Sequence, residues 1–438
     1  MKKYWIRISA LLIVFALVAA ACGSDDDETT TPPPTTEDTS SSQPEDSPAV
    51  DSEEPSVVDA GEVDLTGAEL TLWGWASSEA EDTQLTALVA QFNADTGANA
   101  SFETQPEYDA ALQASLVAGD PPDIFYVDSS KLPGLVDSNA LAPVPDGVLS
   151  DPDDIYGSLR DVFTVDGTWY CPPKDFSTLG LIYDPTILEA AGIDVPTTWA
   201  ELAAAAEALT TDDQVGLSFG AEYARAGAFL FQAGTAMLTD DGTAVALDSD
   251  GAREALQYLA DLYDAGYIKS PGDIDTGWGG EAFASGAAAM TIEGNWIAGF
   301  MTDNFPEREW AVAELPQGPV GLGTFAFTVC YGVAASADNP ELSWAFVEYL
   351  TNASGAAAWT SGFQVMPARE SVADAWLSDN PDLAAFVDGA AYASRFQFPT
   401  GVADIMGVFN DAYERLITGD ITVDDLIEEV VEAGDDLL

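Results

Sequence analysis

Histidine is absent from the 438 residues, and cysteine occurs three times, as Cys22, Cys171 and Cys330. Ser-His, Cys-His and His-metal chemistry therefore have no material to work with. Beyond position 7 the lysines are only Lys131, Lys174 and Lys269, and none stands in a G-x-x-x-x-G-K-[ST] phosphate loop. The remaining reactive types are carboxylates, tyrosines and oxygen ligands for a cation. The acidic runs at 151–154 and 248–250 lack the central Gly and distal Glu of a calcium loop, so they are expected to be solvated turns and no metal site is predicted.

The elements that would position any such groups read as α/β. Residues 70–73 alternate like a strand, and Leu85, Leu88, Val89 and Phe92 follow at helical spacing behind a Ser77 or Ser78 cap. Residues 100–102 form a second strand, and Tyr108, Leu112 and Leu116 a helix stopped at Gly119. Residues 123–127 are a buried strand ending at Asp128. Strand–helix repetition of this kind implies a parallel sheet with right-handed crossovers. A second stretch of the same class includes strands at 179–183, 287–293 and 325–334. Its helices are one opened by the Thr198–Glu201 capping box, one over 253–263, one starting at Asn339-Pro340, and two closing the chain at about 403–418 and 422–436. No internal repeat at a fixed period is present.

Positive Lys2, Lys3 and Arg7 precede an apolar run over 8–21, too short to span a membrane and built as a secretory signal. Cys22 directly after Ala19-Ala20-Ala21 resembles the lipobox of bacterial lipoproteins, with Ala19 where that motif prefers leucine. The resemblance implies cleavage after 21 and acylation of Cys22, against the alternative of plain secretion. Residues 22–67 contain no aromatic residue and no Lys or Arg. This acidic, Thr/Ser/Pro-rich segment is expected to be a disordered tether. About 370 residues then remain, enough for two lobes. Asp and Glu number 75 against 13 Lys and Arg; the signal takes three of the basic residues, leaving a mature net charge of −65. Such a surface excludes nucleic acid as a partner and repels acidic membranes.

The segments Leu70-Thr71-Leu72-Trp73-Gly74, Phe92-Asn93-Ala94-Asp95-Thr96-Gly97, Ala118-Gly119-Asp120-Pro121-Pro122-Asp123 and Leu141-Ala142-Pro143 come in order, followed by Pro173-Lys174-Asp175-Phe176-Ser177-Thr178 and Tyr183-Asp184. Later come Ala191-Gly192-Ile193 before Thr198-Trp199, Phe283-Ala284-Ser285-Gly286, Gly294-Asn295-Trp296, Leu315-Pro316-Gln317-Gly318-Pro319 and Met366-Pro367-Ala368-Arg369. Together they resemble extracellular solute-binding protein family 1, the substrate-binding lipoproteins of carbohydrate-type ABC transporters that include maltose-binding protein. The resemblance covers nearly all of 68–438. It implies a two-lobed α/β fold of the periplasmic-binding-protein type II, with ligand in a cleft between lobes joined by crossing strands near 170–176 and 311–316. Lobe I is then expected over 68–175 and 313–352, and lobe II over 176–312 and 353–438.

A sugar presents a flat apolar face and a hydroxyl edge, so its cleft wants aromatic platforms beside Asp, Glu or Asn. On the family layout the candidates are Trp73, Trp75, Asp128, Asp175, Ser177, Thr178, Glu293, Asn295, Trp296 and Tyr331. Trp278 is divided evenly between binding and surface. Trp199 and Trp344 are assigned to packing, and Arg369 to a structural ion pair. Cys171 and Cys330 are expected to form a disulfide between neighbouring strands, the alternative being two small buried thiols. The function implied is a lipid-anchored, monomeric, extracytoplasmic receptor that captures a sugar and hands it to permease subunits, with no cofactor and no catalysis. The competing readings are a carboxylate-dependent glycoside hydrolase, an acidic surface-interaction protein, and, within the family, a receptor for a polyol or glycerol phosphate.

Overall fold

The computed structural model describes residues 63–438, apart from 240 and 400. The signal, Cys22 and most of the tether lie outside the described residues. Residues 63–67, expected to be part of the tether, are docked on the folded chain. Leu65 is buried in a core cluster and the Gly67 N–H donates to the Gly97 carbonyl, so one apolar residue in an acidic run suffices to dock 63–67.

β1 (Glu69–Gly74), β2 (Asn99–Thr104) and β3 (Ile124–Asp128) run parallel, linked by helices α1 (Glu79–Thr96) and α2 (Tyr108–Ala118). Ser78 caps α1 by accepting from the Glu81 N–H, and Gly97 ends it in the left-handed conformation that glycine adopts without steric cost. A short hairpin, β4 (Thr164–Val165) and β5 (Thr168–Trp169), precedes the long β6 (Pro173–Tyr183). Next come β7 (Val215–Ser218), β8 (Ile268–Lys269), β9 (Ala288–Gly294), β10 (Ala311–Ala313), β11 (Thr324–Val333) and β12 (Ala393–Arg395). One ten-stranded sheet runs β2-β1-β3-β11-β6-β9-β7-β8, with β10 beside β6 and β12 beside β11.

The two middle strands make the passage between lobes. β6 pairs with β11 over Pro173–Thr178 and then with β9 over Leu179–Tyr183. β11 runs the other way: Phe325 is buried in the lobe II core, and Cys330 and Tyr331 are in the lobe I core. The return crossing is thus β11 and not 311–316, because β10 pairs with the lobe II end of β6 at Leu181–Tyr183. The boundary expected at 353 also moves. Trp359, Phe363 and Val365 are buried in the lobe I core, where the helix Ala353–Phe363 packs on α1 and on the helix Pro340–Thr351. Apolar periodicity shows that a helix is buried but not which lobe buries it.

Cys171 and Cys330 form a disulfide, Cα atoms 5.7 Å apart, joining the approach to β6 with β11. Lobe II closes with the helices Val402–Ile417 and Val423–Leu437, whose inward faces (Ile405, Phe409, Tyr413; Leu426, Val430) complete its core.

Candidate functional site

Lys174 stands in β6 with its side chain only 4% exposed. A buried ammonium needs partners. Its Nζ lies 2.8 Å from Asp175 Oδ2 and 3.4 Å from Glu81 Oε1, and it sits over the rings of Trp359 (4.3 Å) and Tyr126 (4.7 Å). Asp175 also accepts from the Trp359 indole N–H at 2.8 Å. The expected ligand contact Asp175 is therefore the counter-charge of an internal cluster. Tyr331 belongs to the same neighbourhood, buried with its ring 5.6 Å from that of Tyr126, and lines the lobe I core.

Ser177 and Thr178 are likewise occupied by the fold. Ser177 Oγ accepts from the Asn295 N–H at 2.8 Å, and Thr178 Oγ1 donates to the Phe386 carbonyl at 2.7 Å. β11 pairs along this part of β6, and both hydroxyls find partners within the fold. Trp73 points its indole N–H sideways along the sheet to Glu103 of β2 (3.0 Å). Trp278 is half-buried with its ring against Phe300, 4.9 Å between centres, in a small cluster of its own. These six side chains are engaged by neighbours within the fold.

Five of the expected residues remain: Trp75, Asp128, Glu293, Asn295 and Trp296. Trp75 is half-buried, edge-on to Tyr108 (4.9 Å) and Tyr126 (5.0 Å) at the end of β1. Asp128, at the end of β3, accepts from the Ser130 N–H (2.8 Å) and hydroxyl (2.6 Å); burial nevertheless pushes its carboxyl above the usual range. Asn295 is fully buried, and neither its amide oxygen nor its amide nitrogen has a hydrogen-bond partner. Trp296 is half-buried and packs against the core clusters of both lobes.

Trp296 is held by neighbours that give its ring one orientation. Its indole folds back over the strand end: a Cβ on Gly294 would lie 2.3 Å from the ring, so glycine is required there. The indole N–H donates to Glu293 Oε2 at 3.2 Å, and Arg225 donates to the same oxygen at 2.6 Å. Glu293 is buried, which pushes its carboxyl upward, while Arg225 pulls it back. Glu293 thus positions Trp296 from beneath and has no exposed face of its own. Phe327 of β11 meets the Trp296 ring at 5.7 Å, and the Phe396 ring lies tilted against Phe327 at 4.9 Å. The Ser129 hydroxyl donates to the Phe396 carbonyl (2.6 Å), tying the end of β3 to this aromatic row.

Arg225, Phe327 and Phe396 were not among the sequence candidates. Arg225 could have been found: it interrupts the otherwise apolar run Ala226–Phe231 and its approach in a chain poor in cations, and a cation in such a setting needs a buried carboxylate. Phe396 follows a three-residue strand and carries no local signal. The arrangement offers an aromatic surface beside an unused amide, at the strands that join the lobes. It suits a neutral ligand with both an apolar face and hydroxyl groups.

Residues 87–385 match the model of a bacterial extracellular solute-binding protein family. A putative binding protein of Brucella abortus is 25% identical, with 87% of this chain and 95% of that protein covered. Among solved structures, the GacH receptor of Streptomyces glaucescens, studied unliganded and with acarbose, is similar at a TM-score of 0.78 and 23% identity, covering 85% of this chain and 98% of that one. The cyclic alpha-maltosyl-1,6-maltose binding protein of Arthrobacter globiformis is similar at 0.70 and 25% identity, covering 85% and 99%. The family match spans well over half of the sequence. The chain belongs to the bacterial extracellular solute-binding protein family.

Proposed function

We propose that the protein is the extracytoplasmic receptor of an ABC importer and captures a sugar or oligosaccharide between its lobes. The observation that carries this reading is the pairing of Trp296 with Asn295. An indole lies between the cores of both lobes, and beside it stands a buried amide whose donor and acceptor are both free. An unpaired buried amide costs about 1–3 kcal/mol. A hydroxyl-bearing ligand removes that cost while its apolar face covers the ring. The similarity to receptors described with acarbose and with a cyclic maltosyl-maltose supports the carbohydrate class. Asp128 and Trp75 are assigned to the lobe I side of the same cleft.

The proposal extends to the parts of the chain outside the described residues. Cys22, acylated after signal cleavage, anchors the receptor to the cell membrane through the acidic tether. The folded part acts as a monomer and delivers ligand to permease subunits without altering it chemically. A thermal-shift screen of the mature protein across mono- and oligosaccharides, followed by calorimetry, is the direct test. One saccharide is expected to raise the melting temperature and to be recovered unchanged. A screen in which none does, or a bound saccharide that is hydrolysed, overturns the reading.

A further inference from the structure

A second cavity, of about 340 Å³, opens in lobe I between the loop carrying Pro145 and Pro152 and the β4–β5 hairpin. None of the cleft residues lines it. Its volume falls at the lower end of the range for small-molecule sites, about 300–1,000 Å³. Trp169 contributes an indole whose N–H is buried without an acceptor. The Arg160 guanidinium lies 4.5 Å from the centre of that ring, and its ion pair with fully exposed Asp153 is long, 3.7 Å. The stacked arginine is therefore lightly held and free to turn outward. Asp146 and the Thr168 hydroxyl also line the cavity, and Pro145 and Pro152 supply apolar wall.

We propose that this cavity is a second, independent site for a single neutral sugar ring. The lining chooses among ligand chemistries. An anion entering beside Arg160 meets Asp146 and Asp153 in a chain of strongly negative charge, and a cation meets Arg160. An apolar molecule leaves the indole N–H and the guanidinium without acceptors. A pyranose satisfies the set: ring face on tryptophan and proline, hydroxyl oxygens accepting from Trp169 and Arg160, hydroxyl protons donated to Asp146. Such a site in front of the cleft's own affinity would hold sugar weakly and would not depend on lobe closure, since every lining residue belongs to lobe I.

The test uses the full mature chain labelled with fluorotryptophan and titrated with glucose, followed by fluorine NMR, with the Trp169 signal assigned by Trp169→Phe. The Trp169 signal is expected to move along its own saturation curve, unchanged in Trp296→Ala. Arg160→Gln should weaken that curve about ten-fold, one decade being ~1.4 kcal/mol, with the melting temperature retained. Should Trp169→Phe fail to fold, Arg160→Gln provides the assignment, because the Arg160 guanidinium lies over that ring. A Trp169 signal that stays put at saturating glucose, or that moves only in step with Trp296, overturns the proposal. Because the cleft is read from Trp296 in the same titration, failure here leaves the cleft reading separately visible.

Discussion

At the scale of single residues, burial and pairing separate the aromatic and charged side chains that hold the fold from those free to bind. Trp344 is 1% exposed in the lobe I core and Trp296 is half-buried at the junction of the lobes. Trp296→Ala is expected to weaken sugar binding ten-fold or more, about 1.4 kcal/mol per decade, with the apo melting temperature little changed. Trp344→Ala should lower stability by about 3–5 kcal/mol. Calorimetry beside apo melting curves distinguishes them, and a Trp296→Ala protein that binds normally but melts early would place that indole in the core. Glu293 adds a pH dependence. Burial raises its carboxyl on folding, so the folded protein takes up the proton at a higher pH than the unfolded chain does. Acidification through that raised value relieves the cost of the buried charge, so this group does not destabilise the fold there. It does remove the charge that accepts from Trp296 and Arg225. Affinity should therefore fall as pH drops through that raised value, and Glu293→Gln should bind more weakly with a flatter profile. An unaltered slope in that variant would move the titrating group elsewhere.

At the scale of elements, strands and helices were legible because their signals are local. The Ser78 cap, the Gly97 stop and the Thr198–Glu201 capping box each stand where the sequence puts them. Partners were not legible. Whether the helix Ala353–Phe363 belongs to lobe I or lobe II depends on contacts with α1, more than 250 residues earlier. The same limit explains the site: Asn295 and Trp296 project from a strand end, as their position after Gly294 suggests, whereas Asp175 looked equally available until its neighbour Lys174 proved to be buried. One contact between elements bears directly on capture. The N-terminus of α1 in lobe I meets the helix Ile297–Asn304, where the Ala80 N–H donates to Asp303 at 2.6 Å. Gly299 eases the approach, since a Cβ there would lie 3.2 Å from Ser78 Oγ and press it back slightly. A carboxylate at a helix N-terminus contributes about 0.3–1 kcal/mol. If this contact latches the lobes around ligand, Asp303→Ala should raise the dissociation constant by roughly two- to five-fold. The melting temperature of the apo protein should hold. A larger fall in stability than in affinity would make the contact a brace instead.

At the scale of the whole molecule, charge dominates. Thirteen basic residues face 75 acidic ones. Among the described residues eight cations form ion pairs, including Lys174 with Glu81 and Asp175, Arg225 with Glu222 and Glu293, Arg253 with Asp248 and Asp424, and Arg369 with Asp154. The carboxylates far outnumber the cations, so like charges repel one another across the surface. Unfolding spreads the same charges over a larger volume, so repulsion penalises the compact state more than the unfolded one. Salt reduces the difference, because the screening length falls from ~10 Å at 0.1 M to ~3 Å at 1 M. The few ion pairs work in the opposite direction, but those that matter most, Lys174 and Arg369, are buried and little screened. The melting temperature should therefore climb between those two concentrations of sodium chloride, chosen because a sulfate would also strengthen apolar burial. Potassium chloride should give the same curve if screening is the cause, whereas a flat or falling curve would mean that the surface carboxylates are held far enough apart for water alone to separate them.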